Sequence, residues 1–212
     1  AYLYNKHGAP LDYDTWQNLR RILGWLSDNW RLPDEGIWEV RGGRRRFVSS
    51  RVMSWVALER AVRISRKRGL PAGEGRWIRE RDAIYEEVME KGWSEGRQSF
   101  VQNYGSEALD ASLLLMPLVK FVGPTDPRWL STLDRVRREL AHDALVDRYR
   151  IGEAADDGLS GTEGSFSLCS FWLVECLTRA GRLEEARLAF EKMLSYANHL
   201  GLYAEEIGAS GE

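Results

Sequence analysis

The 212-residue chain is 43% apolar, enough to build the core of one sizeable domain. Its 30 basic and 32 acidic residues leave a net charge of −2, which argues against a general nucleic-acid binder, usually basic overall. No apolar run is long enough to span a membrane, no signal-peptide pattern opens the chain, and two cysteines are too few for a disulfide scaffold.

Residues 1–11 read as a connector, with a short β-type run at Tyr2-Leu3-Tyr4 and a turn over Lys6-His7-Gly8-Ala9-Pro10. Beginning on Ala1 in mid-pattern, the chain reads as a fragment of a larger protein. The spacing of Trp16, Leu19, Ile22, Leu23, Leu26 and Trp30 predicts a first helix over 14–30, capped by Asp14 with Gln17 completing a capping box. A long loop over 31–48 then carries Pro33-Asp34-Glu35-Gly36-Ile37-Trp38-Glu39-Val40-Arg41, with a Pro and a Gly to break regular structure and three carboxylates close together. A second helix starts near Ser49 or Ser50, faces Val52, Met53, Val56, Ala61 and Val62 inward, and stops at Gly69-Leu70-Pro71. A third covers 74–91, and a loop with Trp93 and Tyr104 follows to 105.

From Ser106 a fourth helix is expected, apolar almost all round and kinked at Pro117. Asp126-Pro127, a cap followed by proline at the first helical position, opens a fifth that reaches His142. After a loop over 143–164 comes a sixth helix over 165–180, again apolar on most sides, and Gly181 separates it from an amphipathic seventh that ends near Leu200. The acidic loop Leu202-Tyr203-Ala204-Glu205-Glu206 closes the chain with no final element. Cys169 and Cys176 stand seven apart on the sixth helix, two turns from each other and unable to bridge, so buried free thiols in a reducing, cytoplasmic setting are expected. Nine tryptophans imply a large aromatic core, though aromatic faces also stack on sugar rings.

Two regularities organise these elements. One-sided amphipathic helices alternate with nearly all-apolar ones, which must be covered on every side. Loops before the second, fourth and sixth helices are long, whereas those after them are short; short links pair antiparallel neighbours, so the long loops must emerge at one end. The expected fold is all-α, an inner ring of apolar helices inside an amphipathic outer ring, and Glu39 and Glu205 both fall on the loop-bearing end.

Cleaving a glycosidic bond takes one carboxylic acid to protonate the leaving oxygen and a second carboxylate to activate water or attack the sugar. Glu39, beside Trp38, suits the acid, because an indole desolvates a neighbouring carboxyl and offers a ring to stack on. Glu205, after the small Ala204, suits the base. From the residues alone, solvated loop acids are the stronger reading of both. Arg41 is open between a sugar or phosphate contact and an exposed arginine, whereas Arg44-Arg45-Arg46 reads as a solvated turn in preference to an anion patch. Trp93 and Tyr104 are candidates to line subsites, with core packing the commoner fate of such aromatics. His7, His142 and His199 lack ligand spacing, so no metal and no cofactor is expected.

Four segments in order, Pro33 to Gly42, Ser50-Arg51-Val52-Met53-Ser54-Trp55-Val56-Ala57, Gly161-Thr162-Glu163-Gly164-Ser165-Phe166 and Gly201 to Ile207, together resemble glycoside hydrolase family 15, which includes glucoamylases and bacterial α,α-trehalases. The resemblance runs over essentially the whole chain. It implies a six-hairpin (α/α)6 barrel, here partial with about seven helices, and an inverting hydrolase of α-glucosidic bonds with Glu39 as general acid and Glu205 as general base. Trp38, Arg41, Glu163 and Glu206 would meet the sugar, with a helix-cap role equally open for Glu163. The partner would be a small α-glucoside or an oligosaccharide; neither nucleic acid nor membrane is expected. The Gly-Ile-Trp-Glu-Val-Arg form looks closer to the trehalase branch than to the fungal glucoamylases. Family members also carry an N-terminal β-sandwich, earlier helices with an Arg-Asp sugar-binding motif and a closing inner helix, none of which is present in residues 1–212, and Gly208-Ala209 replaces their usual Asp-Pro after Ile207. This predicts part of one catalytic domain, with both carboxylates, an incomplete pocket and exposed apolar flanks. The alternative is a helical-repeat interaction scaffold, open in curvature, whose loops form a peptide-binding rim.

Overall fold

The computed structural model describes residues 1–150, 152 and 164–208. Among these are eight α-helices and three pairs of two-residue antiparallel strands. The first departure from expectation comes at once. Residues Tyr2–His7 form a helix, α1, instead of a β-type run. Asn5 is buried there, taking a hydrogen bond from Arg68 on its side chain (3.0 Å) and one from Lys67 on its carbonyl (3.3 Å). Tertiary contacts thus override the strand preference of the two tyrosines.

Helix α2 (Tyr13–Asn29) is capped by Asp12, not Asp14. Asp12 accepts from both the backbone N–H (2.8 Å) and the hydroxyl (2.7 Å) of Thr15, while Gln17 bonds the Tyr13 hydroxyl. Trp16, Leu23 and Trp30 are buried, but Ile22 is exposed. Helix α3 (Val48–Arg68) ends as expected at Gly69, in the left-handed region at φ 61° with Arg66, Lys67 and Arg68 in its last turn. Met53, expected inside, is exposed. Helix α4 (Glu74–Lys91) packs along α3, and the edge-to-face pair Trp16–Trp77 (6.0 Å) fastens α2 to it.

The expected fourth helix is largely absent. A 3-10 turn (Ala111–Leu114) runs into one α-helical turn, α5 (Leu115–Leu118). Residues 106–110 lie outside it because Ala108 accepts from the Gln102 N–H (2.8 Å) and Asp110 caps the 3-10 turn through the Ser112 N–H (2.7 Å). Pro117, which has no N–H to donate, sits one residue before the end. Helix α6 (Pro127–Glu139) opens on Asp126 as expected, its carboxylate accepting from the N–H groups of Arg128 and Trp129. It stops short of His142, where strands β3 (Ala141–His142) and β4 (Leu145–Val146) form a hairpin. Helices α7 (Ser167–Arg179) and α8 (Leu183–Leu194) make the last antiparallel pair. Strands β1 (Trp93–Ser94) and β2 (Ser99–Phe100) pair within the 92–110 loop. The closing loop does hold an element: β6 (Glu206–Ile207), paired with β5 (Ser165–Phe166).

Two rows result. Helices α3 and α7 each touch the 3-10/α5 segment between them, with α2 and α4 packed on α3, α6 on the 3-10 turn and α8 on α7. One core of Trp16, Trp30, Trp77, Trp129, Phe100, Leu58, Leu114, Leu133 and their neighbours runs between the rows. Four of the nine tryptophans are buried and only Trp25 is largely exposed, so core packing accounts for most of the aromatic excess. Exposed apolar flanks do occur, at Ile22 and Trp25 on α2 and at Leu183, Leu188, Phe190 and Leu194 on α8. The short links follow α3, α5 and α7. The long loops meet at one end, joined by Val48 N–H to Gln102 (2.9 Å), Tyr104 N–H to Arg46 (3.1 Å) and Ala111 N–H to Arg148 (2.8 Å).

Candidate active site

The loop before α3 is built around Asp34. Its backbone pairs with Arg45 in both directions (2.9 and 2.8 Å), closing the base of the loop. Its carboxylate accepts from the Gly36 N–H (2.7 Å), from the Ser50 hydroxyl (2.6 Å) and, at 3.4 Å, from Arg51. Arg51 is itself buried and also donates to the Leu32 carbonyl (2.9 Å). Glu35 pairs with Arg44 at 2.7 Å, which holds its carboxyl below the ordinary glutamate range. Gly36 takes φ 74° with the Phe47 ring directly above, where a Cβ would stand 3.0 Å from ring carbons. The turn closes with Val40 N–H to the Glu35 carbonyl (3.0 Å) and Val40 buried against Phe47 and Trp38.

Glu39 is the third acid of this loop. It is exposed, and it makes no side-chain hydrogen bond or ion pair with a described residue. Its backbone is left-handed at φ 53°, a conformation costing a non-glycine residue on the order of 1–2 kcal/mol. Two of the three carboxylates hold the loop together; the remaining one stands in solvent on a strained turn.

The other acidic loop is anchored to the start of α7. Phe166 pairs in register with Glu206, and Ser165 with Ile207. Ser167 donates its N–H to the Glu205 carbonyl (3.0 Å) and its hydroxyl to the Ala204 carbonyl (2.7 Å). Gly164 permits this approach, since a Cβ there would lie 2.8 Å from the Ile207 oxygen. From behind, Asp147 accepts from the Ser165 hydroxyl (2.6 Å) and bonds His142 (2.9 Å). Glu205 is exposed and without a described side-chain partner, whereas Glu206 pairs with Arg148 at 3.4 Å.

Aromatic contacts join the two loops. The half-buried Trp38 ring meets Phe166 edge-on at 5.7 Å and Trp172 at 6.4 Å. The Arg148 guanidinium lies over both Trp38 (5.6 Å) and Phe166 (5.4 Å), so the cation that pairs with Glu206 also covers the residue preceding Glu39. Beneath them the Trp38 indole N–H donates to buried Asp110. Among the residues singled out in the sequence, Trp38, Glu39, Glu205 and Glu206 therefore belong to one joined assembly. Arg41 is exposed on the same loop, and Glu163 lies outside the described residues. Trp93 packs on Phe100 (5.4 Å), and Tyr104 is half-buried with its phenol pushed up by desolvation.

Sequence reasoning missed Asp110 and Arg148. A signal existed for the first, a lone acid between Leu109 and Ala111 at the head of an apolar run. Arg148 sits among Asp147, Tyr149 and Arg150 and carried none. Both cysteines are buried and unbridged, as expected. Among the described residues, no helix is long and apolar enough to cross a membrane, and no group of His, Cys, Asp and Glu is arranged to hold a metal ion.

A family model, glycosyl hydrolases family 15, matches residues 1–210. The trehalase of Mycobacterium tuberculosis is 45% identical over 206 residues, covering 97% of this chain and 30% of its own length. That of Thermoplasma volcanium is 41% identical over 203 residues, covering 95% of this chain and 32% of its own length. The chain thus spans about a third of these curated relatives. A glycosidase variant solved in complex with glucose superposes with TM-score 0.79 at 24% identity, over 93% of this chain and 51% of that one. A bacterial glucoamylase complexed with acarbose superposes with TM-score 0.76 at 15% identity, over 92% of this chain and 34% of that one. Two rows of helices with this likeness make a partial (α/α)6 barrel.

Proposed function

Because the chain belongs to family 15 of the glycosyl hydrolases, we propose that it is part of one α/α-barrel catalytic domain that hydrolyses α-glucosidic bonds by inversion, with Glu39 as general acid and Glu205 as general base. The observation that carries this reading is the pair of loops joined through Trp38 and Phe166, each presenting one exposed carboxylate without a described partner. The neighbouring acids Asp34, Glu35 and Glu206 are each engaged by arginine. Family membership over 1–210 also favours a hydrolase over a helical-repeat scaffold.

In this mechanism Glu205 takes a proton from water as its oxygen attacks the anomeric carbon. Glu39 gives its proton to the glycosidic oxygen as the bond to that carbon breaks. Inversion leaves room for the water, so the two carboxyls stand about 6.5–9.5 Å apart around bound substrate. Trp38, Arg41, Glu163 and Glu206 supply contacts to the sugar. The substrate we favour is α,α-trehalose, because the relatives named above are trehalases, with a glucoamylase-type α-glucoside as the alternative. A net charge near zero suits a neutral sugar, and two buried thiols suit a reducing cytoplasm.

The test is to assay the full-length protein on trehalose, maltose and starch while following the anomers released by NMR. Inversion of trehalose releases one β- and one α-glucose per turnover; two α-glucoses would mean retention. Near-normal turnover by both Glu39→Gln and Glu205→Gln would refute the assignment.

A further inference from the structure

Among the described residues the carboxylate most completely removed from water, Asp110, has no part in the reaction just described. It is 1% exposed between Leu109 and Ala111, where a carboxylate needs donors for both its oxygens. It has them. The Ser112 N–H reaches Oδ1 at 2.7 Å, the Gln102 side-chain amide reaches Oδ2 at 2.9 Å, and the Trp38 indole N–H straddles the two oxygens at 3.1 and 3.0 Å. Burial raises this carboxyl above the ordinary aspartate range, against the pull of those donors.

Trp38 is the one donor of the three that comes from the loop bearing Glu39. Indole is a donor only, so its single N–H fixes which way the ring points. Phe166 at 5.7 Å and Trp172 at 6.4 Å confine the ring itself. Held by its tip and by its sides, Trp38 has no freedom to pass on to its backbone. The next residue is Glu39, at φ 53° and with no described partner for its carboxyl. Nothing among the described residues grips that carboxyl directly, so its direction is inherited from the frame at Trp38.

We propose that Asp110 is a positioning residue for the proton donor: by clamping the Trp38 indole it aims Glu39 at the glycosidic oxygen. The inference rests on Glu39 being the general acid. A fold-only role explains the arrangement less well, because a buried polar cluster is often replaceable by apolar groups of the same shape at little cost in stability. Aim, in contrast, cannot be supplied by apolar packing alone, and a misplacement near 1 Å costs about 100-fold in rate.

The experiment compares Trp38→Phe, Asp110→Asn, their combination and Glu39→Gln in the full-length protein. Two substrates are used: trehalose, whose leaving oxygen needs a proton, and α-glucosyl fluoride, whose leaving group does not. Trp38→Phe keeps most of the ring and deletes the N–H. Trp38 also contacts the sugar, a loss both substrates share, so the diagnostic is the split: kcat on trehalose is expected to fall about 10- to 100-fold further than turnover of the fluoride. Asp110→Asn should give the same split between substrates. The double variant should widen that split no further than the worse single variant, because one device is disabled twice. Parallel losses on both substrates that track a fall in Tm would overturn the proposal in favour of a purely structural cluster. So would a Trp38→Phe variant with unchanged kcat on trehalose, a result that stands even if Asp110→Asn does not fold. Glu39→Gln separates the two levels. A split there without one in Trp38→Phe overturns the positioning role alone, and no split in Glu39→Gln overturns the acid assignment and this inference together.

Discussion

Ser167 holds the Glu205 loop by two bonds, its N–H on the Glu205 carbonyl at 3.0 Å and its hydroxyl on the Ala204 carbonyl at 2.7 Å. The first turn of α7 thereby orders the backbone from which Glu205 projects. Ser167→Ala removes the hydroxyl bond and leaves the N–H bond. A buried hydrogen bond of this kind contributes about 0.5–1.5 kcal/mol, so the variant should unfold at slightly lower denaturant. Its kcat should fall about tenfold with KM little changed, because a loosened base loses aim before it loses affinity. Steady-state kinetics alongside urea titration checks both halves, and unchanged kcat would show that this anchor does not order Glu205.

Gly36 provides a parallel case on the acid side. At φ 74°, and with the Phe47 ring 3.0 Å from its ideal Cβ position, a methyl group there is strained and forces the ring to give by a few tenths of an ångström. Gly36→Ala should therefore destabilise the protein by at least 1–2 kcal/mol, roughly the cost of a left-handed residue before the clash is added. Ring and turn would separate, moving Trp38 and Glu39 together, so kcat on trehalose should drop with the stability. Gly43 makes the control. It too has positive φ, 96°, but open space around it, so Gly43→Ala should show backbone strain without the ring clash.

What could be read in advance follows from how far away the deciding partner lies. Asp126-Pro127 and Gly69-Leu70-Pro71 placed a helix start and a helix stop correctly because their chemistry is local. The segment from Ser106 misled because an apolar run looks helical whether it is a helix or buried extended chain. Here the outcome turned on Asp110, which caps the 3-10 turn locally through Ser112 but is held there by Gln102, 8 positions away, and Trp38, 72 away. The acid loop shows the same limit. Asp34, Glu35 and Glu39 are alike in local sequence, and only family resemblance separated them. Structure separates them by engagement, since Ser50 and Arg51, 16 and 17 positions on, occupy Asp34. Arg148 could not have been found, as nothing in its neighbours announces a guanidinium laid over two aromatic rings from different loops.

Asp34 and Glu35 stand side by side, each paired with an arginine, yet the pairs should differ in weight. Arg51 is 2% exposed on its side chain, and burial lowers its pKa against the pull of Asp34. Asp34→Ala leaves that guanidinium short of a charged acceptor and frees Gly36 and Ser50. Since Asp34 is itself a third exposed, the expected loss is about 1–3 kcal/mol, less than for a fully enclosed pair. Arg44 and Glu35 are well exposed, and Arg44→Ala should leave the unfolding midpoint where it was. Chemical denaturation of both variants decides the matter. An equal effect would mean that the loop is not organised around Asp34.

The bond between Arg182 and Asp134 joins the α7–α8 turn to α6, and it makes a prediction about pH. Arg182 holds the Asp134 carboxyl below its ordinary value of 3.8. A depressed folded-state pKa means that the unfolded chain binds more protons between the two values, so stability rises with pH across that window. The contribution is complete above the ordinary value and is lost as pH falls through the depressed one. With the Asp134 side chain 43% exposed, solvent screening keeps it below about 1 kcal/mol. Asp134→Asn should thus be slightly less stable than the parent at pH 7. The gap should close as the buffer is taken below pH 3.8, because the parent then protonates the same group. Urea midpoints measured from pH 7 down to pH 3 follow that convergence, and a gap that widens in acid would show that Arg182 does not stabilise the Asp134 carboxylate.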